Sequence, residues 1–224
     1  MILCPDPKIG FIHIYKTGGT SLTLALADHT VEGLRSAAPK RQGGGWQKTW
    51  HFDGRQHSKF LDNVDALEEL TDCSWRYITV VRNPYTWLSS VFLAFYHRDL
   101  GYSAGSNYEF GRYSRDRSIK DFFGFYREFS GLKRDYWGFS TQSSFVEGAP
   151  LDRLHIIHFE DYESQVCGTL NQLGISIGKI GHSLQRGEAK RRQVEEIISD
   201  PEFKSFVNEN FSVDFEKFSY EMWS

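Results

Sequence analysis

The chain has 224 residues and a formal net charge of −3, long enough for one domain with a sizeable core and too acidic for a general nucleic-acid binder. Its 40% hydrophobic and 25% charged residues fit a soluble globular protein, and no run approaches the ~18–20 apolar residues of a membrane span. Cys4, Cys73 and Cys167 are odd in number and scattered, which suits neither a disulfide framework nor a zinc site and favours a reducing, cytoplasmic setting.

Met1 to Lys8 has neither the charged start nor the apolar stretch of a signal peptide. Ile9 to Ile14 is a short apolar run suited to a buried parallel strand, and Thr20 to Asp28 reads as the helix that follows it. Gly33 to Trp50 contains Pro39, Lys40-Arg41 and Gly43-Gly44-Gly45, so it reads as irregular, either an acceptor-contacting loop or a plain connection. Ser58 to Leu70 has Phe60, Leu61, Val64, Leu67 and Leu70 near helical spacing. Arg76 to Val81 is a second strand. Pro84, suited to a first helical turn, then opens a helix carrying Trp87, Leu88, Val91, Phe92 and Phe95. Gly101 to Ser106 is a break, and Ile119 to Phe129 another helix.

Leu154 to Phe159 is a third strand, ending at Glu160-Asp161, and Tyr162 to Leu173 is a helix closed by Gly174. Glu188 to Ile198 is a charged helix and Pro201 opens the last one. There are no internal repeats. Alternating strands and helices predict one α/β domain over residues 1–224, a central parallel sheet flanked by helices. Ligands of such sheets sit beyond the carboxyl ends of the strands, where both the segment after Ile14 and Arg82 fall. Aromatic residues, 16% of the chain, concentrate between Trp87 and Phe145 and serve either helical packing or a sugar-stacking cleft.

The segment Phe11-Ile12-His13-Ile14-Tyr15-Lys16-Thr17-Gly18-Gly19-Thr20-Ser21-Leu22 carries the chemistry. It is a strand, a phosphate-sized turn and a helix start in one piece. Gly18 and Gly19 let the backbone approach an anion, and N–H groups at the helix start point at it. Lys16 adds a cation, and Thr17, Thr20 and Ser21 add hydroxyl donors. It departs from the nucleotide-triphosphate loop G-x-x-x-x-G-K-[ST], because Lys16 precedes the glycines. The second strand ends in Arg82-Asn83-Pro84, so a basic residue stands where an Asp could hold magnesium, which suggests a second anion.

These two segments resemble those of the PAPS-dependent sulfotransferases, especially the carbohydrate branch and its bacterial relatives (PAPS is 3'-phosphoadenosine-5'-phosphosulfate). The first is similar to that family's 5'-phosphosulfate loop H-I-P-K-T-[AG]-G-T-S, with Tyr15 where proline is usual. The second, Val81-Arg82-Asn83-Pro84-Tyr85 with Ser90 eight residues after the arginine, is similar to the 3'-phosphate motif. Asp214-Phe215-Glu216-Lys217-Phe218-Ser219-Tyr220 is similar to the family's C-terminal D-F-x-x-F-x-Y. The resemblance spans about residues 10–220. It implies a P-loop-like sulfotransferase fold and transfer of a sulfuryl group from PAPS to a hydroxyl or amine acceptor, foremost a glycan, with PAP as product and no metal required. It also implies that Arg82 and Ser90 hold the 3'-phosphate, while Lys16, Thr17, Gly18, Gly19, Thr20 and Ser21 hold the 5' group. A P-loop nucleotide kinase and an inactive PAP-binding module are the alternatives.

The acceptor must lose a proton, and histidine is the commonest base. His13 and His158 fall within strands and read as core. His97 ends a helix. His57-Ser58-Lys59, just ahead of a helix and twenty-five residues before Arg82, resembles the K-H-[AS]-[TS] stretch of bacterial relatives, with Gln56 where lysine is usual. His57 is therefore the expected base, Lys16 its catalytic partner at the leaving group, and His51 the rival. Gln142 with Ser143, and Arg186-Gly187, read as surface loop in preference to acceptor-facing or adenosine-covering residues.

Overall fold

A computed structural model of the chain describes residues 1–26, 29, 57–63, 74–96, 140–177 and 188–224. The irregular stretch at 33–50, the break at 101–106, the helix at 119–129, His51, His97 and Arg186-Gly187 lie outside the described residues. The fold class is α/β. Four strands, β1 (Ile2–Pro5), β2 (Lys8–Ile12), β3 (Arg76–Val81) and β4 (Leu154–His158), pair in the order β1-β2-β3-β4. β1 runs antiparallel to β2, whereas β2–β3 and β3–β4 are parallel. The second strand forms as expected, while β2 and β4 each stop short of the expected end. The sequence reading missed β1. Its apolar Ile2-Leu3-Cys4 precedes Asp6-Pro7, a turn pair that folds it back so that Ile2 faces Phe11.

The chain divides into two compact units, Met1–Arg82 with Gln142–Gln185 and Asn83–Thr141 with Arg186–Ser224. The first contains the sheet, α1 (Gly19–Ala25), the short α3 (Gln142–Phe145) and α4 (Tyr162–Gln172). Period-two alternation puts Ile9, Phe11, Ile78, Val80 and Ile157 into one cluster, closed by Leu22 and Leu26 and by Tyr162, Val166 and Leu170 of α4. Elsewhere on the sheet, Tyr77 lies across Gly10, where a Cβ would stand 2.7 Å from its ring, and meets Phe60 edge-on at 5.1 Å. Gly174, at φ +85°, follows α4 as expected.

The helix expected from Ser58 is absent through Phe60, and only a 3-10 turn over Leu61–Asn63 forms among the described residues there. Phe60 N donates across the fold to Phe145 O at 2.9 Å, and Lys59 N donates locally to Asp62 Oδ2 at 3.0 Å. Residues 64–70 of that expected helix lie outside the described residues.

The second unit contains α2 (Pro84–Tyr96), α5 (Glu188–Ser199), α6 (Pro201–Asn210) and α7 (Ser212–Phe218). Asp200 caps α6 by accepting from Phe203 N at 3.0 Å, with Pro201 in the first turn. The resembling C-terminal motif is α7 and its cap: Asp214, Phe215 and Phe218 are buried, and Ser219 ends the helix at φ +57°. Tyr85 stacks on Trp223 at 4.3 Å, hydrogen-bonds Asn208, and accepts from Trp223 N at 2.6 Å.

On β4, burial and then the Arg76 charge hold the His155 imidazole below the ordinary histidine range. The fold thus favours neutral His155, and in acid the unfolded chain binds more protons. This contribution to stability is whole above the unfolded value of about 6.5 and is lost as pH falls toward the lower folded value. Thermal melts should therefore show a stability loss below about pH 6.5 that is smaller in His155→Gln. Equal slopes in the two proteins would remove His155 as a cause.

Candidate active site

Parallel pairing of β2, β3 and β4 brings three strand exits to one edge of the first unit: the segment His13 to Gly18, then Arg82, then the 3-10 turn Phe159–Asp161. The expectation that the Lys16 turn and Arg82 share an edge holds.

Lys16 (φ +61°) and Gly18 (φ +85°) bend the chain back, and Gly18 caps α1. A left-handed lysine costs about 1 kcal/mol or more and persists because its surroundings hold it. The holding groups grip carbonyl oxygens. His57 Nδ1 donates to His13 O at 3.0 Å, Thr17 Oγ1 to Ile14 O at 2.8 Å and Tyr162 Oη to Gly18 O at 3.0 Å; Arg82 Nη1 reaches Lys16 O at 3.5 Å. In a planar trans peptide the next N–H points the opposite way. Hence the Thr17 and Gly19 N–H groups point away from the carbonyls that Arg82 and Tyr162 hold. The positive ends of these dipoles are turned outward from the tie points, as an anion loop requires. Burial pushes the Tyr162 phenol above its ordinary range, so it stays a neutral donor.

The Thr17 hydroxyl is engaged within the turn by its bond to Ile14 O. Thr20 and Ser21 begin α1 and are half-buried, as is Lys16, whose Nζ lies 5.7 Å from the Tyr15 ring centroid. Ser90 is a buried residue of α2, in the second unit.

Arg82 is only 7% exposed. Its guanidinium carbon lies 4.5 Å from the Phe159 ring centroid, a cation–π distance. Because it meets the Lys16 carbonyl, it approaches the turn on the side opposite the Thr17 N–H. The guanidinium and that N–H therefore serve separate points.

His57 packs edge-on against Tyr15 at 5.0 Å and His13 at 4.7 Å. Tyr15, standing where the resembled loop has proline, is thus part of the histidine's seat. A carbonyl can only accept, so Nδ1 of His57 carries a proton and Nε2 carries the lone pair of the neutral ring. His13 lies just past β2 and is buried as expected for a core residue. Sequence reasoning missed that its ring stacks on Phe11 at 5.2 Å and underlies Gly19, while its carbonyl orients His57. A histidine preceding the turn was the only available signal.

Gln142 and Ser143 correct the surface-loop reading. Both are buried, and Gln142 bonds the Arg82 backbone, which no sequence spacing announces across sixty residues.

Compared with models of protein families, with curated proteins and with solved structures, the chain matches none.

Gly19 supplies a direct test of the turn's packing. A Cβ there would stand 2.1 Å from Cδ2 and Nε2 of the buried His13 ring. Gly19→Ala should destabilise the protein by about 1–3 kcal/mol in urea unfolding. Gly168→Ala on α4, where a Cβ meets nothing within 4 Å, should stabilise by roughly 0.5–1 kcal/mol. A neutral Gly19→Ala would mean that the ring has room to move.

Proposed function

We propose that the chain is a PAPS-dependent sulfotransferase that sulfates a hydroxyl or amine acceptor, a carbohydrate foremost. One juxtaposition carries this reading: a glycine turn with Lys16, the Arg82 guanidinium and the His57 imidazole at the edge where the parallel strands β2 and β3 end. Separate placement of the guanidinium and the Thr17 N–H suits a ligand with two anionic groups. Arg82 following β3, in place of a metal-binding carboxylate, favours it over a nucleotide kinase.

PAPS would supply the sulfuryl group. The chain's own residues supply position and charge, which carry most of the catalysis in transfers of this kind. Thr17 and Gly19 N–H groups, with Thr20, Ser21 and Gly18 shaping the turn, would hold the 5' end. Lys16 would offset negative charge growing on the departing phosphate. Arg82 would hold the 3'-phosphate. His57, its Nδ1 proton engaged by the His13 carbonyl, would take the acceptor's proton at Nε2. The scheme calls for no metal and fits a cytoplasmic enzyme.

Arg82→Ala should weaken binding of PAP far more than of adenosine 5'-phosphate, which differs only in lacking the 3'-phosphate. A charge-assisted contact of roughly 1.5–3 kcal/mol is at stake. Equal losses in calorimetry would refute the 3'-phosphate role. Tight binding of ATP with magnesium, and none of PAP, would favour the kinase.

His57→Ala and His57→Asn should each lower single-turnover sulfation from PAPS by about 10²–10⁴-fold while PAP still binds. The wild-type rate should fall on the acid side as the imidazole gains its second proton, and the variants should lose that limb. Near-wild-type rates in both variants would pass the role to His51.

A further inference from the structure

We propose that Gln142 and Phe159 are positioning residues that hold Arg82 for the nucleotide's 3'-phosphate, an inference that rests on the sulfotransferase reading. The pairing of β3 with β4 ends at Val81 opposite His158, so Arg82 stands one residue beyond the ladder. It is nearly buried, and its backbone N–H and C=O still need partners. The Gln142 carboxamide supplies both. Arg82 N donates to Gln142 Oε1 at 2.9 Å, and Gln142 Nε2 donates to Arg82 O at 2.7 Å. One side chain thus imitates a neighbouring strand's peptide group for one residue. Gln142 is wholly buried, where breaking such a pair leaves polar groups unsatisfied and costs the full desolvation penalty. The main chain of Arg82, and with it the direction of its side chain, is held.

Phe159 acts at the other end of the same side chain. Its ring lies 4.5 Å below the guanidinium carbon. It also presses on Gly18, where a Cβ would stand 2.9 Å from Phe159 Cε2. A ring set against the turn therefore limits where the guanidinium can move. A guanidinium held against a ring face keeps its fork of N–H donors in place, and such a fork can grip a phosphate with two parallel bonds. Preference for a 3'-phosphorylated nucleotide is thus governed partly by two side chains that act through Arg82.

The test is calorimetric binding of PAP and of adenosine 5'-phosphate to wild type, Gln142→Met and Phe159→Leu. Gln142→Met keeps much of the shape and removes both hydrogen bonds. Its preference for PAP over adenosine 5'-phosphate should fall about tenfold and that of Phe159→Leu about fivefold, PAP losing more affinity than adenosine 5'-phosphate in each. A merely structural role would weaken both nucleotides alike, and that outcome, or an unchanged preference, would overturn the proposal. If Gln142→Met fails to fold by circular dichroism, Phe159→Leu decides by the same criterion. A wild type with no preference for PAP would sink the sulfotransferase reading and the positioning role with it. A preference kept in the variants sinks the positioning role alone.

Discussion

The site depends on how the peptide groups between His13 and Gly18 are turned. Four of their carbonyl oxygens accept hydrogen bonds, one from Thr17 within the turn and three from separate parts of the first unit: His57, Arg82 and Tyr162. Each grip turns a peptide dipole and sends the following N–H the other way. A single neutral hydrogen bond is worth only about 1 kcal/mol net. Together they maintain a left-handed lysine that a free chain would avoid. The conformation of the turn is therefore fixed by bonds within the first unit.

The same bonds couple the turn to the candidate catalytic groups. His57 receives its tautomer from the carbonyl it holds in place. Arg82 steadies the Lys16 peptide while Phe159 and Gln142 steady Arg82. Gly18 and Gly19 are needed because Phe159 and His13 occupy the space a side chain would take. The glycines thus serve close packing beneath the turn as much as approach from above it. Removing one member should loosen several, so substitutions here are expected to be non-additive.

Much of the architecture was legible in order and kind. β3 could be read outright because Arg76 to Val81 combines β-branched and aromatic residues in one short apolar run. Helices α2, α4, α5 and α6 announced themselves through Pro84, Gly174, the charged face of Glu188 onward and Pro201, although the single last helix expected after Pro201 is divided at Phe211 into α6 and α7. β1 was missed because a four-residue apolar start carries no periodicity. The helix expected from Ser58 does not begin there, and its first described residues form only the 3-10 turn Leu61–Asn63.

For the site, the sequence by itself determined which groups exist and in what order they leave the sheet: a lysine and two glycines after one strand, an arginine after the next. Chain order and parallel topology suffice for that, since successive parallel strands exit on one edge. Only the tertiary structure decided what those groups touch. The Gln142 clamp on Arg82, the Phe159 ring beneath it and the seating of His57 on His13 and Tyr15 join residues far apart in the chain. Such contacts depend on the three-dimensional position of single carbonyl oxygens and ring faces, which local residue preferences do not encode.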